Sequence, residues 1–162
     1  MDDLIITSPK PEIVKSTIAA IEKKYIQIKT HEGDVHNYLG MVLRFVQDGT
    51  VRVNQTGMIQ EIAKSRCIQD IEEVVGAVAP NPLTPSHDQL FHDSEGSPLL
   101  SDTLAREVHS LTARILSIAN VGRPHLITFI AYMTKKVLKP THEDARKLLR
   151  AIYYLRSTAD MD

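Results

Sequence analysis

From Asp102 onward the chain carries three apolar stripes at helical spacing, divided by two sharp punctuation points. The first stripe is Leu104, Val108, Leu111, Ile115 and Ile118, with Asp102 placed to cap its helix. Gly122 ends that helix and Pro124 opens the next. The second stripe is Leu126, Phe129, Ile130, Met133 and Val137, running to about Lys139 before Pro140. Thr141 caps the third helix, whose first turn holds Glu143 and Asp144, favourable near the positive end of the helix dipole. Its stripe is Ala145, Leu148, Leu149, Ile152 and Leu155. Links this short leave the three helices no choice but to pack on one another.

The first half reads differently. Leu4 to Thr7 reads as a short strand, and Ser8, Pro9 and Pro11 introduce a helix from Pro11 to Lys24 with Val14, Ile18, Ile21 and Tyr25 on one face. Ile26 and Ile28 alternate with polar residues, which predicts another strand. Thr30 to Asn37 is polar and holds Gly33, so it reads as a loop. Tyr38 to Val46 and Val51 to Val53 flank an Asp48-Gly49 turn, the pattern of a β-hairpin. Asn54 caps a helix from Gln55 to Ser65. From Gly76 to Ser101 the chain holds Pro80, Pro82, Pro85 and Pro98, the composition of an extended surface loop. The pattern predicts an α+β fold: residues 1–53 with strands, a helix and a hairpin, 54–75 helical, 76–101 loop, and 102–162 a three-helix bundle.

Composition narrows the partners. The 162 residues carry a net charge of −1, so a phosphate-binding face would need local clustering of Lys and Arg. Lys135, Lys136, Lys139, Arg146, Lys147 and Arg150 form one such cluster, which reads equally as a solvated face. No apolar run is long enough for a membrane span, and the acidic start shows no signal peptide. Cys67 is the single cysteine, which excludes an internal disulfide and a cysteine zinc site and fits a reducing, intracellular setting. His31 and His36, and His87 and His92, are each five apart, with too few further ligands nearby in sequence for zinc.

Asp2 and Asp3 run into the apolar Leu4-Ile5-Ile6. Adjacent carboxylates at a tight turn can hold hard divalent cations, and they are equally common as solvated turn residues. The landmarks downstream tip that balance. Asp2-Asp3-Leu4-Ile5-Ile6, Gly33 with Tyr38-Leu39-Gly40, Val53-Asn54-Gln55-Thr56-Gly57, Thr84-Pro85, Arg106-Glu107-Val108, Gly122-Arg123-Pro124, and Pro140 with Ala145 to Thr158 stand in order along nearly the whole chain. Together they resemble the C-terminal half of a copia-type retrotransposon reverse transcriptase, from its Tyr-x-Asp-Asp box through the thumb. Met1 fills the x position. Departures are His125 for an Asp, Ser110 near a common Gly, Met58 for a Tyr and Ser157 for a Gly.

The resemblance implies a partial palm followed by a helical thumb and connection. It implies that Asp2 and Asp3 are catalytic and bind Mg²⁺ in a two-metal site that activates the primer 3′-hydroxyl and neutralises pyrophosphate. It makes Tyr38, Leu39 and Gly40 part of a primer grip, with Gly40 either admitting the sugar-phosphate or serving as a bulge. Gln55, Gln60, Lys64 and Arg66 become candidates to face the duplex, or else a solvated helix face. The implied partners are an RNA/DNA template-primer duplex, dNTP, and the N-terminal palm and fingers that this sequence does not contain. The implied setting is a cytoplasmic particle or the nucleus. Without its upstream palm strands the chain is expected to be inactive and to self-associate through an uncovered edge and face. The competing reading is a non-catalytic helical module that binds nucleic acid or protein.

Overall fold

A computed structural model describes residues 4–25, 28–78, 91–92 and 96–160. Among the described residues the architecture is α+β: six helices and a three-stranded antiparallel sheet. The chain divides into two compact units, 1–53 and 54–162.

The first unit holds helix α1 (Pro11–Glu22) and strands β1 (Val35–Tyr38), β2 (Met41–Phe45) and β3 (Val51–Asn54, whose last residue opens the second unit), in sheet order β1-β2-β3. The sheet differs from the sequence reading in one informative way. Tyr38 to Val46 is not one strand, because Leu39 and Gly40 both take positive φ, 48° and 79°. Two consecutive left-handed residues make the tight turn whose twist matches an antiparallel ribbon. The chain therefore folds back at once, pairing Tyr38 with Met41 and Val35 with Arg44. Residues 35 to 37, expected as loop, become β1, and the expected hairpin becomes a three-stranded meander. Its second turn follows the Asp48-Gly49 signal. The Asp48 carboxylate accepts the Thr50 hydroxyl at 2.6 Å and the Thr50 N–H at 2.8 Å, and these bonds hold its pKa below the usual carboxylate value.

Leu4 to Thr7 has no strand pairing, which corrects the first predicted strand. Residue 28 is likewise outside the sheet, and Ile26, the other half of that predicted strand, lies outside the described residues. Leu4, Ile5, Ile6, Val14, Ile18, Ile21, Ile28, Tyr38 and Phe45 instead line an open hollow of about 910 Å³. No described residue of this unit is fully buried.

The second unit holds the core. Its helices are α2 (Thr56–Ala63), α3 (Arg66–Val75), α4 (Asp102–Val121), a 3-10 turn (Pro124–Leu126), α5 (Ile127–Thr134) and α6 (His142–Ser157). The helix expected from Gln55 to Ser65 is α2, which ends at Ala63, and Ser65, with extended backbone (ψ 141°), starts a further helix, α3. Asn54 does satisfy an N-terminal donor, accepting from the Thr56 N–H at 3.1 Å. Ser101, one residue before the expected Asp102, caps α4. The second bundle helix ends at Thr134, and 135–139 form a hydrogen-bonded turn rather than more helix. At α6 a full capping box forms: Asp144 N–H donates to the Thr141 hydroxyl, while the Thr141 N–H donates to the Asp144 carboxylate. Every residue of the expected α4 and α6 stripes is buried except Leu104, which is half-buried.

The ends of α6 and α2 are tied together by polar contacts. Arg123, itself buried, donates to the Thr158 carbonyl at 2.5 Å, and the Thr56 hydroxyl donates to the Ala159 carbonyl at 2.8 Å. Both bonds satisfy carbonyls that the end of α6 leaves open. Gln55 fills the space above Gly122, where an added Cβ would lie 2.1 Å from Gln55 Oε1.

Two outcomes follow. Gly122→Ala lowers stability by about 1–3 kcal/mol through overpacking, and that cost shrinks in a Gln55→Ala background. Urea midpoints of the two single variants and the double variant measure the coupling; additive effects would count against the contact. In native-state hydrogen exchange, amides of 4–53 exchange through openings of lower free energy than those of α4 and α6. Equal protection in both units would contradict the difference in burial.

Candidate nucleic-acid interface

Asp2 and Asp3, the proposed cation ligands, lie outside the described residues, as does Thr84-Pro85. What the structure does place is the segment that follows them. Leu4 to Ile6 lines the hollow together with Tyr38 and Phe45 of the sheet, so the stretch after the carboxylates and the β1–β2 hairpin border one space. Among the described residues, no three His, Cys, Asp or Glu side chains converge on a point suited to a metal ion. His31 and His36 do meet, their rings 5.6 Å apart edge to face, but His36 Nε2 is engaged with the Gly33 carbonyl at 2.6 Å.

Tyr38, Leu39 and Gly40 sit at one hairpin tip. Tyr38 is half-buried against the hollow, while Leu39 and Gly40 are exposed. Gly40 is the second residue of the tight turn, at a φ that glycine adopts without strain. An exposed backbone turn of this kind can approach a sugar-phosphate chain closely, because nothing projects from it but Leu39.

The four candidates on the next helices separate. Gln55 is buried at the start of α2, held against Gly122, and among the described residues its Nε2 has no hydrogen-bond partner. It is therefore placed to lock α2 onto the end of α4 rather than to face outward. Gln60 and Lys64 are exposed, one turn apart on the outer side of α2, and Arg66 follows at the start of α3. Arg66 is 3.8 Å from Asp70 with most of its side chain in solvent, a contact too exposed to neutralise it firmly. Gln60, Lys64 and Arg66 thus present donors and positive charge to solvent along the outer side of this helix pair.

The basic cluster near the end of the chain is not one face. Lys147 is buried, with its ammonium donating to the His92 carbonyl and lying 5.4 Å from the centre of the Tyr132 ring. Arg146 donates to the Val75 carbonyl at 2.7 Å and reaches Glu143 at 3.4 Å. Arg123 was passed over as a functional group by charge counting; the Gly-Arg-Pro string marked it, and the fold spends it on the end of α6.

No protein-family model and no solved structure matches the chain. It is similar to a putative transposon Ty5-1 protein of Saccharomyces cerevisiae, with 26% identity over 160 residues. The match takes in 97% of this chain and 48% of that protein, so the chain spans about half the length of its relative. The similarity is distant yet runs along nearly the whole chain, and it relates the chain to a transposon-encoded protein.

Proposed function

We propose that this chain is the C-terminal part of the polymerase region of a copia-type reverse transcriptase. The observation that carries the reading is the end-to-end similarity to a transposon protein of about twice the length, together with the ordered landmarks from Asp2-Asp3 to Thr158. On this reading 1–53 is the end of a palm, 54–75 begins the thumb, 76–101 is its long surface loop, and 102–162 completes the thumb and leads into the connection.

In the full-length parent, Asp2 and Asp3 would hold Mg²⁺. Adjacent carboxylates are hard oxygen donors suited to that ion, though two residues supply fewer ligands than a two-cation site requires. The bound ions would supply Lewis acidity and charge neutralisation for transfer of a nucleotide from dNTP to a primer. The chain's own residues would do the positioning. Leu39-Gly40 would set the primer backbone, and Gln60, Lys64 and Arg66 would contact template-primer phosphates, which fix register without reading sequence. The setting is intracellular, in a particle or the nucleus. The hollow bordered by Leu4, Ile18 and Phe45 would be covered by the upstream palm, and without it the chain would self-associate through that face.

A second reading keeps 54–162 as a non-catalytic helical module that binds nucleic acid or protein. What favours it is that, among the described residues, the buried apolar core lies within this unit.

Primer extension separates them. The isolated chain is expected to show no Mg²⁺-dependent incorporation, whereas the chain joined to its upstream polypeptide extends a primer. In that longer protein, Asp2→Asn lowers the rate by about 10³-fold or more, because the barrier depends on fixed charge at the reacting phosphate. An unaffected rate in the Asp2→Asn protein would remove the carboxylate from the mechanism. Sedimentation of the isolated chain is expected to show association; a monodisperse monomer would contradict the uncovered face.

A further inference from the structure

The fold sorts the six basic residues from Lys135 to Arg150 by what they already touch, and among the described residues two remain uncommitted. Lys147 and Arg146 are engaged within the protein, and Lys136 lies 5.5 Å from the centre of the Tyr132 ring. Lys135 and Lys139 are exposed, and among the described residues neither side chain has an ion pair or hydrogen bond. They flank a turn that is held firmly. The Lys135 N–H donates to the Tyr132 carbonyl at 3.2 Å, Lys136 to Met133 at 2.9 Å, and Lys139 to Lys136 at 3.1 Å. Val137 is half-buried and Pro140 is buried, so the far side of the turn is anchored in the unit. Between the two free ammonium groups stands Leu138, 87% exposed, the most exposed of the large apolar residues described. Burial within the fold gives that leucine almost nothing.

The neighbouring start of α6 is closed to anions. Its first donors are taken: His142 N–H by the Pro98 carbonyl, Glu143 N–H by the Ser97 hydroxyl, and Asp144 N–H by the Thr141 hydroxyl. What this surface offers an anionic partner is therefore the pair of lysines and the apolar tip between them. We propose that the turn Lys135–Lys139 is a contact point for the phosphate backbone of a nucleic-acid duplex. Lys135 and Lys139 each neutralise a phosphate, and Leu138 covers apolar sugar surface between them. The proposal rests on the nucleic-acid reading above and adds to it a second contact element in 54–162. A duplex fits better than a lipid surface. Stable membrane attachment takes a larger apolar insertion or two separate signals, whereas a duplex is a dense line of charge that rewards each neutralised phosphate by counterion release.

The test is fluorescence anisotropy of a labelled DNA duplex with the full chain across a range of KCl concentrations. The variant K135Q/K139Q is expected to flatten the slope of log K against log salt by about 1.8, from ~0.9 per lost phosphate contact. L138S is expected to weaken binding with the slope unchanged. All three residues are exposed, so thermal melts of the variants should overlay the parent and exclude misfolding as the cause. If K64Q/R66Q flattens the slope and K135Q/K139Q does not, the turn is overturned while the wider reading stands. If the unaltered chain does not bind the duplex, both fall. If the unaltered chain prefers phosphatidylserine vesicles, and K135Q/K139Q abolishes that preference, the surface is a lipid contact and the proposal is overturned.

Discussion

Helix α6 is the post on which the second unit is built, and its stability rests on how its two ends are closed. Eight of its residues are buried, including Leu148, Leu149 and Ile152 on the side facing the other helices. A helix buried to that extent cannot leave its terminal donors and acceptors to water. At the first end the Thr141–Asp144 box, Ser97 and Pro98 take up the donors. At the other end Arg123 and Thr56 take up carbonyls of Thr158 and Ala159. Those closing groups come from segments far apart in sequence: 54–56, 97–98, 122–123 and 141–144. Closing α6 therefore also fixes where the chain turns between α4 and α5 and where α2 begins. Arg123 is the strongest of these contacts in kind, since a buried cation on helix C-terminal carbonyls satisfies both a hydrogen bond and the dipole.

That dependence explains which parts of the fold were legible in the sequence. The stripes of α4 and α6 were readable because burial there follows a single helical period, and the Thr141 cap was readable because its chemistry is local. The end of the second bundle helix was not, because Val137 continues the apolar period while the hydrogen bonds of 135–139 have already left the helix. Leu39 misled the strand reading: an apolar residue between Tyr38 and Met41 looks like strand, and only its positive φ makes it turn. The Tyr-Leu-Gly string carries that information only if Gly40 is taken as half of a two-residue turn. Gln55 misled the site reading for a similar reason. A polar residue at the head of a helix ordinarily faces water, but Gly122 opens a slot that only the absence of a side chain could provide.

The two units differ in the kind of stability available to them. The second buries apolar side chains to completion, down to full exclusion of solvent at Ile71, Val108, Ile115 and Ile130. In the first, no side chain of α1 is buried, and its stripe of Val14, Ile18 and Ile21 lines the open hollow. A short meander with one helix supplies too little apolar contact to be firm by itself. The hairpin tip at Leu39-Gly40 and the segment after Asp2-Asp3 both belong to that weaker unit. Residues proposed for the chemistry thus belong to the unit with the less complete burial.

Charge in the second unit follows the same division between structure and contact. Counting Lys and Arg from the sequence treats Lys135, Lys136, Lys139, Arg146, Lys147 and Arg150 as one cluster. The fold removes Lys147 by burial and Arg146 by tying it to the Val75 carbonyl. Neither could be reassigned to a phosphate without exposing a carbonyl that now has a donor, which is costly for a buried group. Lys135 and Lys139 carry no such obligation, and neither do Gln60 and Lys64 on α2. A chain of near-neutral net charge can still contact a polyanion when its acids are engaged elsewhere. Asp144 is consumed by its cap, Glu72 by the Tyr153 hydroxyl, Glu61 by Arg114 and Glu143 by Arg146. Other acids, Glu73, Asp102 and Asp160 among them, stay exposed, so the positive charge at Lys64 with Arg66 and at Lys135 with Lys139 is a local excess, and on the proposed reading it is that excess, not the total, that a duplex would meet.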